Sequence, residues 1–136
     1  MKLTTLIIFL LLIACSSKED IAPSTIVGKW SPTYITQTKQ ADGTFGAWYT
    51  INTFVALPVY EFTSDGRFLM DGKPGETCCS SGNKYSVSEN KIYFTERAIC
   101  PNVKCALCEN WTIIEIKGDT LILDECFSRN KYVRIR

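Results

Sequence analysis

Residues 84–95, KYSVSENKIYFT, set Tyr85 and Val87, then Ile92 and Phe94, at alternate positions. A strand turns successive side chains to opposite faces, so a period of two describes strands with one buried and one wet face. Between the two runs, Glu89-Asn90 supplies residues that tolerate a tight hairpin. The reading is an antiparallel β-hairpin, and the rest of the chain repeats it.

Outward from this hairpin the same alternation places Tyr60 with Phe62, Phe68 with Met70, and Leu121 with Leu123. Turn residues recur at Ser64-Asp65-Gly66 and Gly118-Asp119. Strands are expected near residues 26–36, 47–55, 59–63, 67–71, 84–88, 91–96, 111–117, 120–126 and 131–136, with no long helical period anywhere. Short antiparallel strands in this number leave bare edges unless the sheet closes. The expected fold is therefore all-β, a small antiparallel up-and-down barrel of eight or nine strands. A two-sheet sandwich is the alternative, and the run of consecutive hairpins speaks against it.

At 136 residues, 46% apolar and 12% aromatic, the chain suits one globular domain with a real core. Its first residues, MKLTTLIIFLLLIA, carry one positive charge at Lys2 and then an apolar run too short to span a bilayer. Residues 1–14 are read as a cleaved signal peptide. Of the 15 basic side chains against 14 acidic, cleavage removes only Lys2, which leaves 14 against 14. A chain so balanced has no global field to recruit nucleic acid.

Leu12-Ile13-Ala14-Cys15 resembles the bacterial lipobox, in which the cysteine is acylated and the signal is cut just before it. The resemblance implies that Cys15 is the lipid attachment site and that the membrane is a partner through this anchor. Several acyl chains on one residue hold a protein durably, since each buried methylene contributes about 0.8 kcal/mol. Ser16 after the cysteine resembles lipoproteins sorted to the outer membrane, and Lys18-Glu19-Asp20 resembles a short surface-export signal, which leaves the periplasmic face and the cell surface both open. Polar residues with Pro23 make 15–24 a lipidated cysteine and flexible tether, followed by a domain over 25–136.

The stretch "IVGKW", with Gly28 and Trp30, resembles the first strand of the lipocalin-like domains common in Bacteroidota lipoproteins, and "YEFTSDGRFLM", "WTIIEIKGDTLILDE" and the terminal "KYVRIR" continue the likeness. The resemblance implies a ligand-holding barrel whose floor Trp30 closes, with Arg134 or Arg136 stacked on the indole. A small apolar or amphiphilic ligand would then lie among Tyr60, Phe62, Phe68, Met70, Tyr85 and Phe94. The plain alternative for those six is a filled core.

Six further cysteines, Cys78, Cys79, Cys100, Cys105, Cys108 and Cys126, depart from that family pattern. In an exported chain they are candidate disulfides; a metal site using the Cys105-x2-Cys108 spacing and a redox pair are the rivals. Loops separated by one hairpin share an end of a meander, so the six should gather on one rim. Cys78 and Cys79 fit a mutual bond poorly and should each find a separate partner. Such a cap would direct ligand access to the opposite end.

No histidine is present, which removes the common Ser-His and Cys-His arrangements. Asp65, Asp71 and Asp119 sit where turns want them. No catalytic site, cofactor or metal is assigned. The second functional expectation is a surface interaction protein, in which residues 37–49, QTKQADGTFGAWY, offer Phe45 and Trp48 to a protein or glycan.

Overall fold

The computed structural model describes residues 26–75, 78–79, 81–106 and 108–136. The signal peptide, Cys15 and the tether lie outside the described residues. Among the described residues ten strands form one sheet: β1 (Gly28–Thr38), β2 (Tyr49–Thr50), β3 (Tyr60–Phe62), β4 (Phe68–Met70), β5 (Lys73–Pro74), β6 (Lys84–Ser88), β7 (Lys91–Thr95), β8 (Asn110–Lys117), β9 (Thr120–Asp124) and β10 (Ser128–Ile135).

Nine of them run in the antiparallel order β5-β4-β3-β1-β10-β9-β8-β7-β6, with β2 paired to β1 off this path. The sheet curls strongly into a half-barrel, and no helix occurs among the described residues. One sheet rather than two rules out the sandwich. The path is an up-and-down meander whose last strand returns to the first, Lys29 facing Ile135 and Thr38 facing Ser128. The start of β4 approaches β6 across the opening, where Arg67 bridges Lys84. Phe68 N donates to Asn83 O at 2.9 Å there, and Tyr85 N to Gly66 O at 2.8 Å.

Most expected strands lie within one to three residues of the observed ones. The exception is 47–55, where only Tyr49–Thr50 pairs. Phe54 and Val55 beyond it are fully or largely exposed, so this apolar stretch has no inner face to hold it in the sheet.

The inward faces build a solid aromatic core. Phe68 lies 5.2 Å from Tyr60, 5.0 Å from Phe62, 5.1 Å from Phe94 and 5.6 Å from Trp111, ring centre to ring centre. Burial of each such side chain contributes roughly 1.5–3 kcal/mol, and the edge-on and tilted ring pairs add to it. The floor is formed by Trp30, which is fully buried and donates from Nε1 to Ile26 O at 2.8 Å. The opposite end carries residues 39–48 and the connections that hold Cys78, Cys79, Cys100, Cys105, Cys108 and Cys126.

Candidate functional site

At that opposite end the core stops short of the rim and leaves a mouth cavity of about 330 Å³. Its wall begins in a defect of β1. Pairing with β10 slips between Pro32 and Thr36, and Tyr34 within the slip has φ of 64°. An unpaired residue in a strand bends it and redirects its neighbours. Here the bulge brings Tyr34 to the cavity, where its carbonyl accepts from Ile51 N at 2.9 Å and its hydroxyl from Leu57 N at 3.3 Å. These two bonds pin residues 51–57 as an apolar flank. Tyr60 and Tyr132, rings 5.1 Å apart, form the cavity's boundary with the core.

The chemical centre is Glu125, in the turn between β9 and β10. Its amide donates to Ser128 O at 2.8 Å, which holds the turn tight, and Tyr132 donates its hydroxyl hydrogen to Glu125 Oε1. Burial pushes the carboxyl up to about 7, against the downward pull of hydrogen bonds from Tyr132, Asn130 and Tyr60, and with a smaller upward push from Asp124. The Tyr60 and Tyr132 phenols are raised as well, by burial first and then by the charge of Glu125. Glu125 also lines a second cavity of about 200 Å³, bounded by Trp111, Arg97, Phe127 and the Cys79 and Cys108 sulfurs' residues. It stands on the boundary of the two.

The six cysteines among the described residues form three bridges: Cys78 with Cys100, Cys79 with Cys105, and Cys108 with Cys126, with Cα–Cα distances of 5.7, 5.1 and 5.9 Å. The first two tie the β5–β6 connection to the β7–β8 connection, and the third ties that connection to the β9–β10 turn. Adjacent Cys78 and Cys79 take separate partners, and the Cys105-x2-Cys108 spacing serves two different bridges. All of this lies on one rim. Ligand access was expected from the other end, but Trp30, Ile26 and Phe62 fill that floor completely, and the open volume is on the stapled side.

Of the six side chains expected to line a ligand, Tyr60 faces the cavity. Phe62, Phe68, Tyr85 and Phe94 are buried in the core and Met70 packs against it, because aromatic rings in that number fill so narrow a barrel. Gly28 and Trp30 form the floor, and the stacked cation is Arg134; Arg136 instead donates to Asp119 Oδ2 at 2.7 Å. Asp65 and Asp71 accept bonds from Arg67 and from Val59 N at 2.9 Å, as turn residues do. In the 37–49 stretch, Phe45 lies under the Arg129 guanidinium at 4.0 Å, while Trp48 is 40% exposed with the Lys131 ammonium 5.3 Å from its ring centre.

The sequence reading missed Glu125. The available signal was parity alone: Glu125 shares it with Leu121 and Leu123, although Ile122 between them is buried too and Glu125 lies in the turn beyond β9. No family model, curated protein or solved structure matches the chain.

Proposed function

We propose that the protein is a binding module, held to the outer membrane through acyl chains on Cys15, that takes a small apolar or amphiphilic molecule into the mouth of a lipocalin-like barrel. The observation that carries the ligand reading is the cavity itself, at the lower end of the size range of small-molecule sites and walled by tyrosines and aliphatic side chains around one carboxyl. The lipobox-like residues and the polar stretch after them support the anchor.

A mass-spectrometric search for small molecules copurifying with the protein tests this, alongside Ile51→Trp, which fills the apolar flank. A molecule that accompanies the wild type and is lost from the variant is the expected result. An identical small-molecule content in both would count against the cavity as the site.

A second reading, a surface that meets a protein or glycan, draws on Phe54 and Ile99, which are 111% and 94% exposed. Phe54→Ser and Ile99→Ser would abolish partner capture under that reading and leave the copurifying molecule in place.

A further inference from the structure

We infer that the mouth cavity selects a ligand whose head is a protonated amine and whose body is apolar, with Glu125 as the counter-charge. This rests on the binding-module reading and specifies its ligand class. Four tyrosines line the cavity, Tyr34, Tyr49, Tyr60 and Tyr132, and the carboxyl of Glu125 meets the same space. Aromatic faces and a carboxylate around a partly enclosed pocket make up the set that recognises an ammonium: the ring quadrupoles attract the cation, and its N–H donors occupy carboxylate lone pairs.

The other charges near Glu125 are already engaged. Lys131 lines the cavity, but its ammonium lies over the Trp48 ring. Arg97 lines only the neighbouring cavity and donates to Cys108 O at 2.7 Å and Glu109 O at 3.2 Å. Asp124 has the Arg129 guanidinium 4.0 Å away. Tyr60, Tyr132 and Asn130 face the carboxyl as hydrogen-bonding neutral groups. A largely buried carboxylate with no cation paired to it among the described residues is costly, and an arriving ammonium relieves that cost. An anionic head would add a second like charge, and a neutral hydroxyl would leave the first one uncompensated.

Burial pushes the Glu125 carboxyl up to about 7, so below neutral pH it is mostly protonated and an arriving ammonium must displace that proton. Binding therefore releases a proton below about pH 7, and amine affinity falls about tenfold for each further unit of acidification.

The test is calorimetric titration of the purified full-length protein with 2-phenylethylamine, 2-phenylethanol and 3-phenylpropanoate at pH 8, repeated for the amine at pH 7, 6 and 5. The amine should bind about tenfold or more tighter than the alcohol, the carboxylate weakest of all, with the stated decline in acid. In Glu125→Gln the amine-to-alcohol ratio should collapse toward one. A carboxylate or alcohol that binds as tightly as the amine, an unchanged ratio in Glu125→Gln, or a flat pH series would overturn the amine assignment while leaving a binding module. Folded protein that takes up none of the three probes would overturn both readings.

Discussion

The Arg134 guanidinium lies 4.1 Å from the centre of the Trp30 ring, directly across the β1–β10 pair, and its Nη1 donates to Val27 O at 2.7 Å. That guanidinium occupies the place where a side chain on residue 28 would go. A Cβ on Gly28 would fall 2.5 Å from Arg134 Nη1, and the backbone there has φ of +137°, which L side chains rarely adopt. Gly28→Val should therefore displace the arginine from the indole and strain the strand, at about 1–3 kcal/mol for the crowding alone. Denaturant melts report it; an unchanged midpoint would mean that the floor tolerates the side chain.

Glu125→Gln should alter the pH dependence of stability. A carboxyl whose pKa rises on folding, here from 4.5 to about 7, binds its proton more tightly when folded. Stability is then greatest below pH 4.5, falls as pH climbs from 4.5 to 7, and stays low above that. The variant removes this decline, so it should match the wild type in acid and exceed it at pH 8 by on the order of 1–3 kcal/mol. Chemical denaturation at pH 4 and pH 8 checks whether the two proteins coincide in acid and part at high pH.

Cys108→Ser with Cys126→Ser releases the β9–β10 turn from the β7–β8 connection. A native bridge typically contributes about 2–4 kcal/mol, and that loss is expected here. The same variant frees the turn that holds Glu125, so amine binding should weaken along with the melt. Non-reducing peptide mapping of the wild type should recover Cys108 linked to Cys126.

Cys15→Ala should give a folded protein that no longer fractionates with membranes. Only the tether joins this residue to the domain in the proposed arrangement, so melting temperature and ligand binding should stay as they are. A variant that still sediments tightly with membranes would remove the lipid anchor from the proposal.

What the residues disclosed in advance follows from where packing obeys strict alternation. In β6 and β7, Tyr85, Val87, Ile92 and Phe94 are buried while Ser86, Ser88, Lys91 and Tyr93 are exposed, and both strand boundaries were legible to within a residue. In β8 the pattern breaks, because the register against β9 shifts between Ile113 and Glu115. Trp111 and Ile113 share one parity, but Ile116 beyond the shift packs inward on the other, so no single alternation runs through the strand. The ligand-facing set was misplaced for a volumetric reason: parity tells which residues point inward, and the summed size of their rings decides whether any space is left. The bulge at Tyr34, which opens that space, depends on pairing with a strand almost a hundred residues away and has no local signature.

The pairing of β1 with β10 also fixes an order of events. Val27 and Arg134 are 107 residues apart in the chain, whereas the three bridges join cysteines 22, 26 and 18 residues apart. Contacts of high sequence separation form slowly, because the loop between them must be ordered first. A nascent chain made N-terminus first holds β1 without its β10 partner until Ser128–Ile135 appear, by which time every cysteine of the stapled rim has been made. Loss of the last strand, by a stop codon or a protease, would strand β1 and β9 with bare edges side by side, and such edges template pairing between molecules. A shortened product is thus expected to aggregate rather than persist as a weakened receptor.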